Sequence, residues 1–192
     1  MDPADCANAI RNRTMIPSPE ILRAIILERP VTSLEILDPD FYSPCIDELM
    51  RSELFECIPF DTMEGNTFYS YLLFPRDTRS LWQKEGNYKG EGIALNLSMW
   101  YPIAAYGKAS VDSTSHFYSA SSLSPEKLQT LPDPSWTDVE QFLVEILSRH
   151  SIGILSSEEG ATHLSSIGLP ALGPEWLDNS DSVYSALFNN DY

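Results

Sequence analysis

The chain has 192 residues, 43% hydrophobic and 11% aromatic, and a formal charge of −16. That length can bury one substantial core, and that apolar content excludes a disordered chain in spite of the charge. The charge disfavours nucleic acid and anionic membrane surfaces, whose phosphates would be repelled.

Residues 1–17 read as a mobile lead-in or a first edge segment. Ser18-Pro19-Glu20 then signals a helix start, with Ser at the N-cap, Pro at the first helical position and an acid in the first turn. Ile21, Leu22, Ile25 and Ile26 make its apolar stripe, and Pro30 stops it. A strand through Ala24 to Leu27 is the alternative, because the run is short and β-branched. Val31 to Leu37 is strand or loose helix, followed by turn chemistry at Asp38-Pro39-Asp40. Ser43-Pro44 repeats the helix signal, with Ile46, Leu49, Met50 and Leu54 facing inward on a helix to about Leu54. Phe55 to Gly65 contains Pro59, Asp61 and Glu64 and reads as a connection.

Thr67 to Phe74, TFYSYLLF, is the clearest strand. A charged, turn-prone stretch from Arg76 to Glu91 follows, with Leu81 and Trp82 as anchors. In Gly92 to Trp100, Ile93, Leu95, Leu97 and Met99 alternate with Ala94, Asn96, Ser98 and Trp100, the period of two that buries one face. Pro102 interrupts, and the strand resumes at Ile103 and runs to Ser110, past Gly107. His116 to Ser119 adds an edge strand. Consecutive strands with short connections predict an antiparallel meander.

Ser124-Pro125-Glu126 starts a short helix to about Thr130, and Leu131-Pro132-Asp133-Pro134 breaks it. The strongest helix carries Val139, Phe142, Leu143, Ile146 and Leu147 at core-stripe spacing. Thr137 and Glu140 match a capping box, Ser135 competes as the cap, and Arg149 and His150 sit where the dipole favours cations. Ile152 to Leu155 is a short strand or turn. Ser156 or Ser157 with Glu158 and Glu159 opens a helix through His163 and Leu164. Val183, Tyr184, Leu187 and Phe188 have helical spacing and dock the tail on the domain. The expectation is one α+β domain over residues 1–192, an antiparallel sheet of about four strands with helices packed on one face or end.

Catalytic signatures are scarce. There is no G-x-S-x-G elbow, Walker A loop or G-x-G-x-x-G. His116, His150 and His163 have no helical metal-pair spacing; Glu158, Glu159 and His163 can share a helix face, but an acid–His pairing of this sort is common by chance and zinc wants three or four converging ligands. Cys6, Cys45 and Cys57 form no C-x-x-C pair, which fits reduced thiols in a cytoplasm. Cys45 follows Pro44 at a predicted helix start, where the dipole would lower its pKa, yet no histidine lies near it in sequence. Burial as a small hydrophobe is the simpler role for all three. No signal peptide and no membrane-spanning run is read, so a cytoplasmic protein without metal or cofactor is expected.

Charge is uneven: residues 1–108 hold 16 acids and 10 bases, and residues 109–192 hold 12 acids against Lys127 and Arg149. This predicts a negative face in the second part drawn from Asp133, Asp138, Glu140, Glu145, Glu158 and Glu159. Such a face would suit a basic protein partner, since complementary fields speed encounter. Solubility alone is the competing explanation of the charge. Tyr88, Trp176 and Tyr184 lie in acidic or turn-rich context and are expected at the surface, with Trp176 and Tyr184 as partner anchors.

In size, acidity and layout, a sheet followed by an amphipathic helix and the aromatic segment Val183 to Phe188, the chain resembles the small acidic immunity proteins of bacteria. These neutralise the toxin domains of contact-dependent or secreted systems. The resemblance implies stoichiometric occlusion of a toxin's basic active site. A small hydrolase or transferase with a site not visible in sequence is the alternative, and an acidic mimic of nucleic acid is a third reading.

Overall fold

The structure, a computed structural model, describes residues 39–60, 68–77, 81–84, 87–114, 117–120, 123–169 and 181–188. The expected helix after Ser18, the segment from Val31 to Leu37, Cys6 and Trp176 lie outside these residues.

Strands β1 (Phe55–Phe60), β2 (Phe68–Pro75), β4 (Asn87–Ser98), β5 (Ile103–Thr114) and β6 (Phe117–Ala120) form an antiparallel path in that order. Two short strands complete the mixed sheet. β3 (Leu81–Lys84) pairs with the first residues of β4, on the edge that β2 occupies further along. β7 (Gly153–Ile154) joins β5 in parallel at Ile103 and Ala104. The class is α+β, as the order of strands and helices predicts, and the meander is observed.

Both faces of the central strands are buried. Leu73, Ile93, Leu95, Leu97, Ala104 and Tyr106 point into a core shared with α1 (Ser43–Met50) and α2 (Thr137–Arg149). Phe68, Leu72, Phe74, Ala94, Ile103, Ala105 and Val111 point the other way. There they meet α3 (Ser157–Gly160), α4 (Val183–Phe188) and the 3-10 turns around Leu128 and Leu164. The two long helices thus share one face, and short pieces seal the other. This second cover explains why Ala94, Asn96 and Ser98, the polar and small set of the alternation, are buried as well.

Several local expectations need correction. Phe55 to Phe60 is a strand, not a connection. Pro59 is accommodated because β1 pairs only with β2 among the described residues, so a missing N–H can face outward. α1 ends at Met50, and Met50 and Leu54 are exposed; Tyr42, Cys45, Ile46 and Leu49 form the inward stripe instead. Tyr42 anchors the start of α1 by donating its hydroxyl to the carbonyls of Ser98 (2.8 Å) and Tyr101 (2.9 Å).

The Thr137–Glu140 capping box does not form. Asp133 accepts from the Ser135 N–H at 2.8 Å, capping a 3-10 turn that leads buried Trp136 into α2, and Glu140 is engaged elsewhere. The capping box that does form joins Ser156 and Glu159 at α3. α3 ends at Gly160, so His163 lies beyond it and does not share its face with Glu158 and Glu159.

β5 runs through Gly107 to Thr114. Its outer edge between β7 and β6 is filled by residues 127–130: Gly107 bridges Leu128, and Gln129 N–H donates to the Tyr106 carbonyl at 2.8 Å. A side chain at position 107 would collide with the Lys127 carbonyl, which is why glycine stands there. Pro102 ends the β4–β5 ladder, and its carbonyl accepts from Gly153 N–H at 2.9 Å, starting the pairing with β7.

Candidate protein-interaction face

The layer formed by α1, α2 and their flanks collects carboxylates from distant parts of the chain. Residues 39–54 contribute Asp40, Asp47, Glu48 and Glu53, and residues 131–150 contribute Asp133, Asp138, Glu140 and Glu145. Arg51 and Arg149 are the only arginines or lysines in the two segments. Both are tied to acids of the layer: Arg51 to Asp47 at 3.4 Å, and Arg149 to Glu48 and to Glu145, the latter at 2.7 Å. The side chains of Asp40, Asp47, Glu53, Asp133, Asp138 and Glu145 are exposed, while Glu48 and Glu140 are half-buried.

The layer is held in one arrangement. Glu48 of α1 accepts from Arg149, and its second oxygen lies 2.8 Å from His150 Nε2, so the C-terminal ends of α1 and α2 are clasped. At the other end of α2, Glu140 accepts from the Tyr106 hydroxyl at 2.7 Å, tying the helix to β5. The clasp orients more than it stabilises, because its side chains are 31–50% exposed for Glu48 and Arg149. A double-mutant cycle on Glu48→Gln and Arg149→Ala, followed by urea unfolding, should give a coupling of about 1 kcal/mol or less. A coupling several times larger would mean that the pair is a folding determinant.

The six acids from which several were expected to form one face divide between two. Asp133, Asp138, Glu140 and Glu145 stand on the α1–α2 layer. Glu158 and Glu159 stand on α3, across the sheet, because the chain passes from Ile152 in one core to Leu155 in the other. Glu159 is also occupied by the Ser156 cap. In their place the layer gains Asp40, Asp47, Glu48 and Glu53, which the count of charge along the chain assigned to the less acidic part. The amphipathic pattern of both helices was the signal that could have paired them.

Tyr184 is not at the surface. It is 8% exposed, stacks on Phe188 at 5.3 Å and is hydrogen-bonded to Asn96, and burial pushes its hydroxyl pKa well above the usual tyrosine value. Trp136 is buried and Trp100 half-buried. Tyr88 lies in β4 with its side chain outside the described residues, as are all atoms of Trp176. The exposed large hydrophobic residues among those described are Phe41, Met50 and Leu54.

Among the described residues, the cysteines and the His163–Asp181 pair are otherwise engaged. Cys45 and Cys57 are buried in the α1–α2 core, and burial pushes each thiol up to about 12. A helix-start position does not activate Cys45, because desolvation of the thiolate outweighs the dipole of a two-turn helix. His163 lies 3.3 Å from Asp181, but Ser165 also donates to Asp181 (3.1 Å) and not to the histidine. Asp181 accepts from the Ser165 N–H as well, so it braces a turn rather than completing a nucleophile–base–acid relay. Among the described residues no group of three or more His, Cys, Asp or Glu could hold a metal ion. No described helix is long and apolar enough to cross a membrane.

The thiols make stability pH-dependent in alkali. In the unfolded chain they ionise near 9 and in the native state near 12, so the unfolded state loses protons first and stability falls as pH rises through this window. The urea midpoint should therefore drop between about pH 9 and 11, and a Cys45→Ala/Cys57→Ala variant should show a shallower drop. An identical slope in the variant would remove the thiols as the cause.

Comparison of the chain with family models, with curated proteins and with solved structures finds no match.

Proposed function

We propose that this chain is a non-catalytic binding protein whose α1–α2 layer docks on a basic protein partner, in the manner of an immunity-type inhibitor covering the active site of a toxin domain. The observation that carries this reading is the convergence of eight carboxylates, four from each of two segments about 90 residues apart, on one layer; the two arginines of those segments are paired with its acids, and Arg76 borders it at the Ser52 carbonyl. Such a surface attracts a positively charged partner from a distance and repels nucleic acid, so its main contribution is to association rate and to rejection of wrong partners. The clasp at Glu48 and the Tyr106–Glu140 bond keep the two helices in register before binding, which lowers the ordering cost on association. Buried, protonated thiols and an Asp181 engaged in bracing a turn support the non-catalytic reading over a hydrolase or transferase.

The test separates location of charge from amount of charge. Asp47→Lys/Glu53→Lys/Asp138→Lys changes three exposed acids of the layer; Glu56→Lys/Glu126→Lys/Glu158→Lys makes the same change of net charge at exposed acids on the other side of the sheet. The partner is the basic protein captured from the source cell by the immobilised wild-type chain. The first variant should associate about 10- to 100-fold more slowly at low salt, with the difference shrinking as salt is raised, and the second should lose much less. Equal losses in the two variants, or none in either, would overturn the assignment of the face.

A further inference from the structure

We draw no further inference here: the strongest candidate, the exposed Met50 and Leu54 side chains at the C-terminal end of α1 beside strand β1, is flanked by charges of both signs (Asp47, Glu53, Arg51 and Arg76), and nothing in the structure shows what covers it.

Discussion

Gly107→Ala is expected to destabilise the protein by about 3 kcal/mol, at the upper end of what overpacking costs. The added Cβ would fall inside the contact distance of the Lys127 carbonyl oxygen, 3.0 Å from its carbon and 3.3 Å from Leu123 Cδ2. Two of these three atoms belong to the backbone, so no rotamer change relieves the clash. Relief requires residues 127–130 to lift away from β5. That movement breaks the bond from Gln129 N–H to the Tyr106 carbonyl (2.8 Å) and the weaker one from Lys108 N–H to Thr130 Oγ1 (3.3 Å). It also uncovers Leu128, which is buried against the second core. Gly168→Ala is the control. Gly168 has φ of 77° and nothing within 4 Å of an added Cβ, so only the left-handed backbone penalises it, by about 1 kcal/mol. Urea denaturation of both variants measures the difference. Equal stabilities would show that the 127–130 segment does not press on β5.

Tyr184→Ala should cost about 3–5 kcal/mol, as for other buried aromatic truncations. The ring is sandwiched in the core of the α4 face, stacked on Phe188, which in turn meets Phe68 edge-on at 6.1 Å. Its hydroxyl is bonded to Asn96, whose Oδ1 accepts from Ser70 Oγ at 2.9 Å, so the truncation also opens a buried polar chain. Tyr184→Phe keeps the ring and removes the hydroxyl, and should cost about 1 kcal/mol. A partner-binding role makes the opposite forecast: unchanged stability and weakened binding in the alanine variant. Thermal and urea unfolding distinguish the two, and an alanine variant as stable as wild type would restore Tyr184 to the surface.

The correction at Tyr184 shows what local pattern reveals. Val183, Tyr184, Leu187 and Phe188 have the spacing of a docked helix, and the helix forms. Sequence context alone suggested that the tyrosine of that stripe would face water, whereas every residue of α4 is buried. The reason lies outside the segment. Ser98 Oγ donates to the Leu187 carbonyl at 3.2 Å, and Ser70, Asn96 and Ser98 supply polar partners beneath the helix. A sheet face with such groups can hold a tyrosine hydroxyl, and no feature near residue 184 announces it.

Other elements sort in the same way. β4 and the stripe of α2 were legible because each repeats its apolar residues at the period of its own backbone, and β2 because its run is aromatic, β-rich and ended by Pro75. β1 was not, because Pro59 argues against a strand everywhere except on an edge, and edge position is a property of the whole sheet. The acid surplus was legible as a number, but its placement was not. Counting along the chain divides Glu48 from Glu145, while Arg149 binds both.

By itself the sequence determined the apolar stripes of β4 and α2, the α+β class and a net charge that repels polyanions. All of these depend on residue type or on neighbours within a turn or two. Only the tertiary structure decided that both sheet faces are covered, that Tyr184 points inward, and that the acids of α1 stand beside those of α2 while Glu158 and Glu159 lie across the sheet. Those outcomes depend on which strand each helix crosses. That order is set by packing between segments up to about 100 residues apart, as the bond from Glu48 to Arg149 spans 101.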